Sequence, residues 1–333
     1  MKKLSKITLT ALTAILLLGA MLALCVSAEE SEVLTYGDLS YVVVEDYEVK
    51  IVDCADTATG EIVIPLKIDG KAVMSIADGA FEGCTGIESV VMNEIVVSVG
   101  ERAFADCTSL ENVIFNYVIR EIGDGAFAGC TALRNVTFGN RLESIGAYAF
   151  DSCESLTEII IPDSCESIGE YAFFRCYGAE KVTLGIGVKN IGEHAFDSCT
   201  SLKTLFVSYG AESIGDFAFN LCGELESVTL PSGDISIGEN SFRNCNSIVS
   251  ICVPDKSSAY EYAQRLAFTV DEITADVDGD GAVTNADLTQ LVRYLAGFGD
   301  ISGNVLKHDV YTDGRFNNRD VINCIQTLAG WED

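Results

Sequence analysis

Histidine, proline and basic side chains are scarce in this chain, and each scarcity excludes something. Only two histidines, His194 and His308, are present, which leaves little room for histidine-based catalysis. Four prolines against 48% hydrophobic residues mark a folded chain and not an acidic disordered one. Lysine and arginine total 21 against 50 acidic residues, a formal charge of −29 over 333 residues. Such a balance opposes nucleic acid as a partner, because a phosphate backbone needs a basic footprint. Long apolar runs are also missing after residue 28, so the remaining chain offers no bilayer span.

The first 28 residues read as a signal peptide. Lys2, Lys3 and Lys6 precede the apolar run ALTAILLLGAMLALCV, and Val26-Ser27-Ala28 supplies small residues for cleavage. A retained membrane anchor is the alternative, and the shortness of the run argues against it. A lipoprotein site at Cys25 is disfavoured by Leu24, where a small residue is wanted. The expected product is secreted.

A beat of 23 residues dominates the middle of the chain. Phenylalanine recurs at 81, 104, 127, 150, 173, 196, 219 and 242, and cysteine three residues after each. Glycine keeps the same phase from Gly100 to Gly238, with Ala77 in the first unit. In LENVIFNYVIREIGDGAFAGCTA, Leu110, Val113 and Phe115 share one face of a short strand. Ile122 precedes Gly123, read as a tight bend, and Ala126, Phe127 and Cys130 form an apolar stripe read as a short helical turn. One such unit cannot bury its own apolar face, so the units must stack. The spacing predicts an α/β repeat solenoid on the order of 40 Å long, at about 4.8 Å per unit.

Twelve cysteines after residue 28 suggest disulfides in a secreted protein. Yet the eight ladder cysteines fall at equivalent places in successive turns. Their Cβ atoms should then lie one rung apart, beyond the roughly 3.8 Å a disulfide prefers. Buried free thiols are expected on the ladder; Cys54, Cys165, Cys252 and Cys324 fall off it. Acidic residues follow the glycine at Asp78, Glu101, Asp124, Glu170, Glu193, Asp216 and Glu239. They are read as favourable charges at the start of the helical turn, the alternative being an acidic stripe for a cationic partner.

With a strand of L-x-x-V-x-L type followed by I-G-x-x-A-F-x-x-C, the units resemble the BspA-like leucine-rich repeat over roughly residues 60–253. The segment from Tyr36 to Phe81 is similar to that family's N-terminal cap, and CVPDKSSAYEYAQRLAF is similar to its terminal helix. The solenoid with both caps is therefore drawn at 29–268. Ala77, Ala179 and Ser241 depart from the pattern.

Residues 276–287, DVDGDGAVTNAD, carry acids at loop positions 1, 3, 5 and 12 and glycine at 6. That pattern suits Ca²⁺, a hard ion taking oxygen ligands. Asp276, Asp278, Asp280 and Asp287 are the expected carboxylate ligands, with the Ala282 carbonyl and Thr284 completing the set. Four carboxylates on one loop repel each other unless a cation neutralises them. Residues 309–320, DVYTDGRFNNRD, repeat the pattern with Asp309, Asp313, the Arg315 carbonyl, Asn317 and Asp320. Tyr311 stands where an oxygen ligand belongs, so the second site is expected to be weaker. Each loop leads into a helix-like segment, LTQLVRYLAG or VINCIQTLAG.

Two such loop–helix halves resemble a dockerin, over about residues 274–331. The resemblance implies a small all-α, calcium-binding module, drawn at 276–331 after a linker at 269–275, and a cohesin module of a scaffold protein as partner, as in cellulosomes. It also implies that Asn285, Ala286, Val292 and Arg293 in the first half, and Asn318, Arg319 and Gln326 in the second, face the cohesin.

Caps and repeats consume residues 29–268, so no separate catalytic domain fits, and no enzyme is expected. His194, in GEHAF, reads as exposed filler, and His308 abuts the weaker loop. A ligand of the repeats, protein or carbohydrate, has a candidate row on the outward strand positions. It comprises Val91, Ile114, Thr137, Ile160, Thr183, Phe206, Thr229 and Cys252, with Phe206 foremost and Tyr117 and Tyr209 beside it. Strand propensity alone would favour the same residue types. The functional reading is a non-catalytic binding module carried on a scaffold. The alternatives are an adhesin or structural protein on cells or plant fibre, and an inhibitor of peptidases in the complex.

Overall fold

A computed structural model describes residues 32–207, 210–230, 235–248, 250–253, 258–265 and 269–272. Its first three strands, β1 (Leu34–Tyr36), β2 (Leu39–Glu45) and β3 (Glu48–Cys54), form an antiparallel cap. β3 then pairs in parallel with Lys71–Ile76, which opens a ladder of two-residue strands from Ser98–Val99 to Ser236–Ile237, one per coil. A second parallel sheet carries the longer strands in two parts. Gly60–Val63, Ile87–Val91, Asn112–Ile114 and Asn135–Thr137 form one, and Glu158–Ile160 through Ser250–Val253 continue in the other. This is a solenoid of stacked coils.

Phenylalanine is the spine. From Phe81 to Phe242 the eight rings stack in one file, with centroids 4.5–5.3 Å apart and planes within 12° of parallel. Leucine, valine and isoleucine of the two sheets close around this file, and each ring from Phe81 to Phe219 is fully buried. A coil taken alone would expose both faces of its ring, and that physical fact makes stacking obligatory.

The α/β reading needs correction. Among the described residues the single helix is α1 (Ser258–Arg265), which buries Ala259, Tyr262 and Ala263 at the end of the stack. The A-F-x-x-C segments are not helical turns. Each coil from Gly79 to Leu221 instead bends twice through left-handed residues, for example Arg102 (φ 52°) with Asp106 (φ 60°), and Tyr171 (φ 56°) with Arg175 (φ 59°). Between bends, alternate amides bond within the turn and to the next coil: Ala103 N donates to Gly100 O, and Phe104 N to Ala126 O at 2.7 Å. The three-residue spacing of apolar side chains mimics a helix while the hydrogen bonds run along the stack. No helix start exists for the acidic row to serve. Asp78, Asp124 and Asp216 accept the backbone N–H of Glu101, Ala147 and Asn240 in the next coil, at 2.9, 2.8 and 2.7 Å. Glycine of the I-G pair is also not a left-handed bend; it permits close approach of one coil to the previous one.

The ladder cysteines are free and buried. From Cys107 to Cys245 each thiol donates to the phenylalanine carbonyl 26 residues earlier, at 3.0–3.5 Å. Off the ladder, the Cys54 thiol is free and buried, and Cys165 donates to Ser167 O at 3.4 Å. Ser241, where the repeat has alanine, is satisfied by the Gly215 and Gly238 carbonyls, both at 2.8 Å.

Burial pushes the Cys54 and Cys165 thiols up to about 12, and raises Cys130, Cys153, Cys176, Cys199 and Cys222 in the same direction. Unfolded thiols titrate near about 8.5. Folded thiols stay protonated there, so above that pH the unfolded chain releases protons that the folded chain retains. Stability present below about pH 8.5 is therefore lost as pH rises toward 12. We expect the melting temperature to fall steadily between about pH 8.5 and 10.5, with Cys165→Ala flattening the slope. A flat profile across that window would contradict buried, neutral thiols.

Thr269–Glu272, assigned to a linker by sequence, forms a strand paired in parallel with Ser250–Val253. It ends the outer sheet, so residues 273–275 alone separate this strand from Asp276. The positions expected to form the all-α module lie outside the described residues.

Candidate functional site

The outward strand positions fall in register along the second sheet. Val63, Val91, Ile114 and Thr137 are paired in sequence in one part, and Ile160, Thr183, Phe206, Thr229 and Cys252 in the other. Val63, Ile114 and Ile160 are exposed by 58%, 51% and 47%, Thr137 is also exposed, and Val91 and Thr183 are half-buried. Phe206 and Thr229 are buried, at 8% and 3%. Period-two alternation sets the side of a sheet from which a side chain leaves, not whether that side is covered. The open row therefore runs from Val63 to Thr183, and Phe206 is not its exposed anchor. Tyr117 extends the row at 57% exposure; Tyr209 and the Cys252 side chain lie outside the described residues.

Polar rungs border the row. Lys181 bonds Glu158 at 3.0 Å, Lys203 bonds Glu180 at 3.2 Å and Asn135 bonds Asn112 at 2.8 Å. Exposed pairs like these fix side chains across coils and add little stability. Beside Ile160 a cavity of about 210 Å³ opens between Pro162, Asp163, Thr183, Leu184 and Gly185. The face is thus aliphatic in the middle and charged at its edge.

His194 is not exposed filler. Its ring lies between Tyr171 at 4.5 Å and Phe217 at 4.9 Å, in a surface stack that begins with Tyr148. Nδ1 sits 2.6 Å from Oδ2 of buried Asp197, whose carboxylate also accepts from Ser198 Oγ and Asn220 Nδ2. Ser198 therefore bonds the carboxylate and not the imidazole, so this trio lacks a base-activated nucleophile. Sequence reasoning missed this stack, although 148, 171, 194 and 217 keep the 23-residue beat.

Among the described residues, no cluster of three or more His, Cys, Asp or Glu side chains could hold a metal ion. The calcium loops at 276–287 and 309–320, the cohesin-facing positions between 285 and 326, and His308 lie outside the described residues. No helix among the described residues is long and apolar enough to cross a membrane.

Comparison with known families matches residues 60–180 and 174–273 to the BspA type Leucine rich repeat region, in six copies. The chain belongs to that family. A second family, the Dockerin type I domain, matches residues 274–329, so the repeats are followed by a dockerin. Both are non-catalytic kinds of module. Among solved structures, a leucine-rich-repeat protein of T. pallidum is 26% identical, covering 72% of this chain and 98% of its own, with a TM-score of 0.54. A leucine-rich cell surface protein of Faecalibacterium prausnitzii is 18% identical over 74% of this chain and 96% of its own, with a TM-score of 0.47. No curated protein matches. The first of these likenesses agrees with the stacked-coil repeats seen here. The dockerin match implies a cohesin partner, and the repeats imply a protein-binding surface.

Proposed function

We propose that this chain is a secreted, non-catalytic binding protein whose dockerin attaches the repeat module to a cohesin-bearing scaffold in a calcium-dependent way. The observation that carries the reading is the dockerin match over the same 56-residue stretch in which two acidic loops recur. All of the proposed ligands in the first loop are oxygen donors: Asp276, Asp278, Asp280, Thr284, Asp287 and the Ala282 carbonyl. Such a set fits Ca²⁺ and no softer ion. The second loop, with Tyr311 among its ligand positions, holds its ion more weakly. In this reading calcium neutralises the loop carboxylates and holds in place Asn285, Ala286, Val292 and Arg293 of the first half and Asn318, Arg319 and Gln326 of the second, the positions proposed to meet the cohesin. The repeat ligand is a protein contacting the open row around Ile114, Tyr117 and Ile160.

Calorimetric titration of each loop tests the inequality. Asp276→Ala should weaken cohesin binding at least 100-fold at micromolar calcium, and Asp309→Ala by less than tenfold. Equal losses would sink the ranking of the two sites, and no loss in either would remove calcium from the interface.

A further inference from the structure

The outer sheet begins at an unpaired edge. Its first strand, β4 (Gly60–Val63), pairs in parallel with Ile87–Val91 and, among the described residues, with no other strand. The three cap strands extend the other sheet and leave this one as it starts. Parallel pairing turns alternate residues toward the neighbouring strand. Gly60 N donates to Gly86 O at 2.9 Å and Ile64 N to Val91 O at 3.0 Å. Gly60, Ile62 and Ile64 thus direct their backbone groups at the next coil. The N–H and C=O of Glu61 and Val63 point the other way, out of the stack. Among the described residues no other backbone group bonds them, and both residues are exposed, Val63 by 58%. The equivalent groups of the next coil, at Ser89 and Val91, are met by β4 itself.

The side chains beside this edge carry one sign of charge. Glu61 accepts from Ser89 Oγ at 3.5 Å, and Glu88 and Glu111 are exposed on the two following coils. None of the three has an ion pair among the described residues. Further along the sheet the glutamates are neutralised, Glu158 by Lys181 and Glu180 by Lys203. Val63, Val91 and Ile114 run beside the acids as an aliphatic row. A second copy of the chain is the wrong occupant. The chain carries −29, and two β4 edges brought together would place both Glu61 carboxylates on one short ladder. Head-to-tail docking onto Thr269–Glu272 would add Asp271 and Glu272 to the same acidic edge. Charge on an edge strand blocks such self-pairing and leaves the edge open to a strand of opposite sign.

We propose that β4 is a docking edge for an extended, basic segment of a partner protein, added as a parallel strand with Lys or Arg beside Glu61 and Val or Ile beside Val63. The partner residue between those two donates its N–H to Glu61 O and accepts from Val63 N. Backbone bonds supply the affinity, and the outward pair supplies the selection. The inference rests on the reading that the repeats bind a protein and names the kind of segment they take; it does not depend on the dockerin.

The test uses the whole chain, ¹⁵N-labelled, with the capped peptide Gly-Thr-Lys-Val-Val-Thr-Gly at millimolar concentration. Its Glu-for-Lys counterpart and a form N-methylated on the first Val serve as comparisons, and amide hydrogen exchange is the readout. In the free chain the Val63 amide should exchange at least about tenfold faster than those of Ile62 and Ile64. The Lys peptide should slow it. Glutamate in the peptide should weaken binding at least about threefold, and N-methylation about tenfold. Glu61→Lys, at an exposed position, should reverse the preference between the Lys and Glu peptides. Protection of Val63 in the free chain, no response to the Lys peptide, equal effects of the three peptides, or an unchanged preference in Glu61→Lys would each overturn the proposal. Protection that rises with chain concentration alone would identify a second copy and overturn it too. Peptide-induced shifts at Ile114 and Ile160 with the Val63 amide unprotected would refute the edge while leaving protein binding by the row intact.

Discussion

Phe150→Ala is expected to lower the stability of the chain by about 3–5 kcal/mol, the range for removing a fully buried aromatic ring. Its ring touches Phe127 at 5.2 Å and Phe173 at 5.1 Å, and meets Phe138 edge-on at 5.7 Å. Neighbouring coils cannot collapse into the gap, since each is fixed to the next by backbone bonds such as Phe150 N to Ala172 O at 2.7 Å. The loss should be larger than that of Phe242→Ala at the end of the file, where only Phe219 stacks on the ring and Tyr262 meets it at 6.2 Å. Denaturant unfolding of both variants checks this. In a stack held by nearest-neighbour contacts, the central lesion should also divide the transition into two. A loss below about 1 kcal/mol at Phe150 would mean that the ring file is not the spine.

Gly192→Ala should be as damaging through crowding. A Cβ at this position would sit 2.6 Å from both Glu170 N and Gly169 C, backbone atoms with no freedom to step aside. Only separation of the two coils relieves the contact, which would stretch Gly192 N to Ile168 O, now 2.9 Å. The expected cost is about 3 kcal/mol or more, at or above the usual range for overpacking. Gly223→Ala is the matched control. Nothing lies within 4 Å of a Cβ there, and the change should stay within about 0.5 kcal/mol. Thermal unfolding that ranks the two variants equally would contradict a stack limited by backbone approach at the glycine row.

Much of this architecture is legible in the order of residues. Phe81 to Phe242 and their cysteines keep an unbroken beat because every coil must meet the same neighbour in the same way. Free thiols are a consequence of that same equivalence. Turn geometry is less legible. Phe127 and Cys130 are three residues apart, which reads as a helix, while Tyr148, Tyr171, His194 and Phe217 adopt left-handed backbone that sequence patterns reserve for glycine. Exposure of the outer row is half legible: Ile114 and Ile160 are open as alternation suggests, yet Phe206 is covered. Asp197, buried beneath His194, gives no sign beyond its place in the beat. The calcium ligands are read from spacing alone and fall within the stretch matched to the Dockerin type I domain, 274–329.

Attachment to a scaffold is the central claim, and binding of the chain to a panel of purified cohesins tests it most directly. Titrations in calcium and then in chelator, with a truncation after residue 272 as control, give the comparison. The account predicts tight binding to at least one cohesin, lost on chelation and on truncation. Failure to bind any cohesin in calcium, or binding that survives both treatments, would contradict it.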